Sequence, residues 1–310
     1  MTLWVPAGAW LAPGYAEWPA PAGLRDAVSC LWTRVVPADD DGRDKVVLPD
    51  GCCDLIWEQG AGAYVAGPDT AAISTASRPG AVFVGVRFRP AHGGPVLALP
   101  LGELRDKRVG LADVLSAAGA RTGRTLAVRR ASAELGAMAM AGDGLAVDRL
   151  AGDGGAPAGA AALVLDLAGR LVADREPDPA IARAALLLRD PAARAEEVAA
   201  ETGLSERQFR RRCHAAAGYG PKVLQRVLRF QRFVRRIDAA ASGMVNLAEA
   251  AAEAGYADQA HLTRECKALS GMTPAALALA RVRGQAGHVQ AASGGSPIIA
   301  VPTPRKPILE

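Results

Sequence analysis

Arg207, Arg210 and Arg211 stand three and four residues apart, with His214 a turn beyond, so on a helix they share one outward face. A guanidinium is a planar fork of donors that matches O6 and N7 of a guanine edge, and a short exposed helix carrying such forks can read a major groove. The intervening Phe209, Cys213 and Ala216 are spaced i, i+4 and i+7 and define the buried side. Downstream, Gln259, Thr263 and Arg264 flank an apolar Leu262, Cys266 and Leu269. Glutamine can bond adenine through two hydrogen bonds, and threonine can touch a thymine methyl.

The two sets are copies of one unit. Phe209, Arg211, Cys213, Gly218 and Pro221 recur as Leu262, Arg264, Cys266, Gly271 and Pro274, all at an offset of 53 residues, while Gly203 is matched by Gly255 at an offset of 52. A period of this size marks a duplicated supersecondary unit, and each copy reads helix, glycine turn, helix, the form of a helix-turn-helix. Capping signals place the helices. Asp190-Pro191 can open the first helix of the first copy, and Ser205 with Gln208 has the spacing of a capping box ahead of the second. In the second copy Asn246 and Asp258 serve as the caps, and the outward face changes in part, with Thr263 where Arg210 stands while Arg211 recurs as Arg264.

Between the copies, Pro221 to Ala241 predicts a helix of roughly 20 residues, ~30 Å long. Successive major grooves on one face of B-DNA lie ~34 Å apart, so this rod can hold two reading helices one turn apart. Its apolar stripe of Leu224, Val227, Leu228, Val234 and Ile237 is interrupted by Gln231, and Arg226, Arg229, Arg232, Arg235 and Arg236 fall largely off it. From Arg207 to Arg236 there are ten Lys and Arg and no Asp or Glu, against a net charge of +4 for the chain. That asymmetry points to a polyanion, with Ser205, Lys222, Arg226, Arg229 and Arg232 as candidate phosphate contacts that position without reading sequence. On an isolated helix the same charges would be a solvated face.

The 310 residues, half of them apolar, suffice for about two globular domains. The first hundred hold short β-type runs at 27–36, 45–48, 52–58, 63–66 and 82–88 separated by turn signals, which predicts a small barrel or sandwich. An irregular arm anchored by Trp4, Trp10 and Trp18 precedes them. Arg87 and Arg89 should emerge at the end of the last strand beside a Gly-rich loop holding His92, and with Trp57 they make a candidate small-molecule pocket. Solvated strand-end arginines are the alternative. Cys52 and Cys53, with Cys30 or His92, suggest a thiolate metal site only weakly, because adjacent strand residues point to opposite faces; no metal or cofactor is expected.

From 111 to 176 the composition is helical, with Leu163, Leu167 and Leu171 as a stripe suited to core packing or, less readily, to a dimer seam. Gly-rich stretches at 141–144 and 152–157 read as a joint, and the tail at 284–310 as disordered. Five cysteines without a paired framework suit a reducing compartment, and the N-terminus has neither a signal peptide nor a membrane span, so a cytoplasmic protein is expected.

Residues 180–280 resemble the DNA-binding domain of AraC/XylS-type bacterial transcriptional regulators. The resemblance is carried by Val198-Ala199, Gly203-Leu204-Ser205, Arg207-Gln208-Phe209, Gly218 with Pro221, Arg229-Phe230, Gly255-Tyr256, Asp258-Gln259, Leu262, Arg264 and Gly271 with Thr273-Pro274. It implies two helix-turn-helix motifs on a linking helix, double-stranded DNA as partner, and base readers at Arg207, Arg210, Arg211, Gln259, Thr263 and Arg264. The stretches 47–55 and 85–90 resemble a sensory-type domain of one subgroup, which implies a β-rich, cupin-like fold. Cys213 and Cys266 stand where the family usually has phenylalanine, a departure that bears on packing. The four-cysteine zinc site of the members that repair alkylated DNA has no counterpart here, which argues against methyl transfer.

The expectation is therefore an α+β chain: a β-rich sensory or dimerisation domain at 1–110, a helical connector at 111–176, an AraC-type DNA-binding domain at 177–283, and a tail. RNA polymerase, a small-molecule effector and a second copy are further candidate partners. Two rival readings of the N-terminal half stay open, a ligand-free dimerisation domain and a barrel enzyme carrying a DNA-binding tail. The enzyme would need a nucleophile and base or at least three metal ligands, and His92 with scattered cysteines is all the sequence offers.

Overall fold

The computed structural model describes residues 14–39, 45–75, 77–122, 126–140, 155–173, 175–239 and 246–285. The expectations for Trp4, Trp10, the joint up to 154 and the tail from 286 lie outside them, whereas residues 155–157, expected in the joint, open a helix and 284–285, expected in the tail, end one. The fold is α+β. Its strands are β1 (Gly14–Pro19), β2 (Val28–Val35), β3 (Lys45–Val47), β4 (Cys53–Glu58), β5 (Gly62–Ala66), β6 (Ile73–Thr75), β7 (Val82–Phe88) and β8 (Arg108–Gly110). Six form one antiparallel sheet in the order β1-β2-β7-β4-β5-β8, and β3 pairs with β6 apart from it. β1 and β8 lie at opposite ends, so the sheet is open, and enclosure comes from helices on one face and the β3–β6 pair on the other. Short strands β1, β6 and β8 carry too few apolar residues for periodicity to mark them.

Alternation sorts the two faces. Leu31, Leu55, Trp57, Val65, Val84, Val86 and Phe88 pack in one core with α2 (Leu111–Thr122), α3 (Leu126–Met140) and α4 (Gly155–Ala173). The Trp57 indole N–H donates to the Leu135 carbonyl at 3.1 Å. Leu167 and Leu171 are fully buried in this core with Leu163 at its margin, so the leucine stripe is core packing against the sheet. One hydrophobic core thus runs through both the stretch expected as a β domain and the one expected as a connector. The opposite face carries the row Cys30, Arg87, Asp54, Ala66 and Arg108, register partners across five strands.

The C-terminal helices are α5 (Pro179–Leu187), α6 (Ala195–Glu201), α7 (Glu206–Ala217), α8 (Pro221–Ala239), α9 (Leu247–Ala254), α10 (Gln259–Ser270) and α11 (Pro274–Gln285). The Asp-Pro cap acts one helix earlier than expected. Asp178 accepts from the backbone N–H groups of Ala180 and Ile181 with Pro179 at the first position of α5, whereas Asp190 only closes a turn onto Ala192 and α6 starts later, after Arg194. Ser205 and Gln208 make the full capping box on α7, and Asn246 and Asp258 cap α9 and α10. Two cores result, one uniting α5, α6, α7 and the start of α8, the other the rest of α8 with α9, α10 and α11.

The β-rich half is seated on these helices. Leu48, with Val46 and Ala72 beside it, packs among Val227, Phe230, Phe233 and Leu269. Gln231, the polar residue that broke the apolar stripe of α8, is buried and donates from Nε2 to the Pro49 carbonyl at 2.6 Å. The Tyr219 hydroxyl donates to the Asp69 carbonyl at 2.5 Å, and Ala72 N–H to the Leu269 carbonyl at 2.7 Å. A short helix α1 (Gly93–Leu97) presses on the end of α7 so closely that a Cβ on Gly94 would lie 2.1 Å from the Ala215 carbonyl oxygen.

Candidate nucleic-acid interface and N-terminal cavity

Each candidate reading helix is fixed by its apolar side. Phe209, Cys213, Ala216 and Ala217 bury α7, and Leu262, Cys266 and Leu269 bury α10. Burial pushes the Cys213 thiol up to about 12 and the Cys266 thiol to about 11, so both stay protonated and serve as small hydrophobes. Arg207, Arg210 and Arg211 are exposed on the first two turns of α7, the end of a recognition helix that meets base edges. Its last turn is occupied by the β-rich half, and His214 belongs to that end, half-buried with its basicity lowered by burial and by Arg105 and Arg210. On α10, Gln259 and Arg264 are exposed, while Thr263 is half-buried with its hydroxyl donating to the Gln259 carbonyl at 2.8 Å.

The candidate phosphate contacts divide. Lys222 is well exposed and only 4.0 Å from Glu196 at its nearest, and Ser205 sits exposed at the start of α7. Arg226 and Arg229 instead turn to Glu265 of α10, at 3.1 and 3.7 Å, with His261 at 3.5 Å from the same carboxylate. Arg229 also lies over the Tyr256 ring. This network ties α8 to α10. Arg232 donates to the Ala254 and Arg189 carbonyls, and burial together with Arg229 and Arg235 pulls its guanidinium below the usual range. Sequence reasoning missed Glu265, a carboxylate at a buried position of an amphipathic helix and thus a visible signal.

The four residues expected to line one pocket are not together. Trp57 faces the helices. Arg89 donates from Nε to the Arg25 carbonyl at 2.7 Å. His92 is buried, its Nδ1 3.1 Å from the Pro90 carbonyl at the start of α1. Arg87 does not emerge at a strand end: its side chain is 3% exposed, because β7 is an inner strand, and it meets Asp54 at 3.1 Å, Asp50 at 3.4 Å and Glu17 at 3.4 Å.

Of the four, Arg87 alone lines the cavity of about 510 Å³ between this face of the sheet and the β3–β6 pair. Trp32, Tyr64 and Phe83 give it aromatic walls, and Asp50, Asp54, Glu58 and Asp69 supply carboxylates against the guanidiniums of Arg34, Arg87 and Arg108. Gly85 makes the wall, since a Cβ there would fall 2.2 Å from the Trp32 indole, whose N–H donates to Asp54 at 2.7 Å. Burial raises Asp54 and Glu17 above the usual carboxylate range although Arg87 opposes it. The paired cysteines diverge as their strand requires: Cys52 lines the cavity and Cys53 joins the opposite core. Among the described residues no three His, Cys, Asp or Glu side chains group to hold a metal ion, and no helix is long and apolar enough to cross a membrane.

Burial also depresses the basicity of His92 from its ordinary 6.5, against the Pro90 carbonyl that favours the charged ring, with Arg89 adding to the depression and Asp26 opposing it. A depressed histidine stabilises the fold above its unfolded value, and that contribution is lost as the pH falls through its folded value. We expect the melting temperature of the protein to drop between pH 7 and 5, and the drop to be shallower in His92→Gln. An equal slope in both would assign the loss to other groups.

Residues 198–279 match the family described as helix-turn-helix domain, and residues 16–110 match a domain of unknown function, DUF6597. No curated protein matches the chain. Among solved structures, ToxT from Vibrio cholerae O395 is similar at 9% identity, with a TM-score of 0.41 over 82% of this chain and 98% of that one. An apo lysine-to-alanine variant of ToxT from Vibrio cholerae strain SCE256 follows at 10% identity and a TM-score of 0.36, over 86% of this chain and 96% of that one.

Proposed function

From a C-terminal helix-turn-helix domain of the AraC type, we propose that the protein is a DNA-binding transcription regulator whose two helix-turn-helix units read adjacent major grooves. The observation that supports this most is the pair of capped, amphipathic helices, α7 and α10, whose buried positions correspond while their outward residues differ except for Arg211 and Arg264. Arg207, Arg210 and Arg211 are the readers of one groove, Gln259, Thr263 and Arg264 of the next, and Lys222 with the start of α7 at Ser205 meets phosphate. Helix α8, 19 residues and so ~28 Å long, sets the spacing, and Glu265 holds α10 to it through Arg226 and Arg229.

Selection of binding sites from random DNA by the full chain tests the reading. Two half-sites of different sequence, centred about 10 base pairs apart, are the expected result. Enrichment of one half-site only, or of none, would refute the two-reader arrangement.

A further inference from the structure

The cavity on the outer face of the sheet has an excess of acid. Around Arg87 stand Glu17, Asp50 and Asp54, three carboxylates to one guanidinium. Arg108 is used by Asp69 in a bidentate pair at 2.9 and 2.6 Å. Counting Glu17 with the lining carboxylates and Arg78, which acts on Glu58, with the lining guanidiniums, five carboxylates face four guanidiniums, an excess of one among the described residues. Protonation of buried acids can relieve such an excess, and so can an organic cation. Two features favour the second. The volume, about 510 Å³, lies in the range of small-molecule sites. The walls beside the carboxylates include the rings of Trp32 and Tyr64, surfaces that attract a cation's charge and accept its apolar body, while the Phe83 ring already carries the Arg34 guanidinium at 5.7 Å.

The walls are also the joints of the molecule. Leu48, Asp50 and Cys52 line the cavity, while between them the Pro49 carbonyl accepts from Gln231 of α8, and a Cβ on Gly51 would be 3.5 Å from Leu224. Asp69 lines it with its side chain and accepts from Tyr219 with its carbonyl. Ile73 and Ser74 line it, and the adjacent Ala72 N–H holds the end of α10. A shift of these segments by a bound molecule is thus delivered to Tyr219 in the turn between α7 and α8, to α8 and to α10 together.

We propose that this cavity binds a small organic cation, a protonated amine on an aromatic or apolar body, and that its occupancy alters DNA binding through the Pro49–Gln231, Asp69–Tyr219 and Ala72–Leu269 contacts. The second limb rests on the regulator reading; the first does not. Phenethylamine and tryptamine serve as probes, with 3-phenylpropionate as the anionic control, in thermal melting of the full chain without DNA. The amines raise the melting temperature by more than about 3 °C at saturating concentration, the carboxylate leaves it unchanged, and Asp54→Asn abolishes the shift. Ile73→Trp, which fills the cavity from its β6 wall, abolishes it too and covers the case in which Asp54→Asn fails to fold. No shift with either amine, or an equal shift with the carboxylate, overturns the site.

For the second limb, affinity for the selected DNA changes at least about fivefold with amine in the wild type, whereas Tyr219→Phe keeps the amine shift and loses the response. Amine binding with no change in DNA affinity overturns the coupling. Failure to select any DNA, with the amine shift intact, counts against the regulator reading and the coupling limb while the site stands.

Discussion

Arg87→Met should destabilise the β-rich half by about 3–5 kcal/mol, the range found when one partner of a buried ion cluster is removed. The methionine fits the space of the stem, so packing is nearly preserved. What changes is charge: Glu17, Asp50 and Asp54, all at most 16% exposed, lose the one guanidinium that they share. Burial already raises Glu17 and Asp54, so their protonated forms are favoured still more in the variant. A carboxylate whose folded value is raised contributes stability that is present below its unfolded value and lost as the pH rises through the folded one. The deficit is therefore expected to be largest at pH 7 to 8 and to shrink toward pH 5 in urea unfolding followed by circular dichroism. The double variant Arg87→Met with Asp54→Asn should recover part of the loss, which reports the coupling directly. A deficit independent of pH would mean that packing, not charge, is what Arg87 supplies.

The same residue shows where sequence reading stopped. Arg87 lies in a strand where Val82, Val84, Val86 and Phe88 alternate, a pattern that partly fails because Phe83 is apolar and buried as well. Its being an inner strand depends on pairing with β2 and β4, where the register partners of Arg87, Cys30 and Asp54, lie 57 and 33 positions away. Nothing local encodes such pairing, so Arg87 read as a strand-end residue and its acid partners, spread from Glu17 to Asp54, went unnoticed. The duplicated unit was legible because its signals are local: caps three residues from their targets, glycines at the turns, and apolar spacing within one helix. Gln231 lies between these cases. Its intrusion on an apolar stripe was visible, but its partner, the Pro49 carbonyl, is supplied by the other half of the molecule.

The outward arginines of α7 carry the largest functional effect expected. Arg207→Ala, Arg210→Ala and Arg211→Ala remove side chains that stand exposed, so the fold and the melting temperature should hold within the ordinary surface range of about 0.5 kcal/mol each. Each guanine-reading fork is worth about 1–3 kcal/mol of discrimination, so Arg211→Ala alone is expected to weaken the selected site by about 5- to 150-fold. The triple variant should lose at least ~100-fold there and less on random DNA, where only phosphate attraction is diminished. Footprinting separates the two readers: the half-site of α7 loses protection, whereas the half-site of α10 keeps it at higher protein concentration, because Glu265 still fixes α10 against α8 through Arg226 and Arg229. Arg264→Ala should give the reverse pattern. Equal losses on specific and random DNA would make these arginines phosphate contacts, and loss of both half-sites together would mean that the two copies bind as one unit.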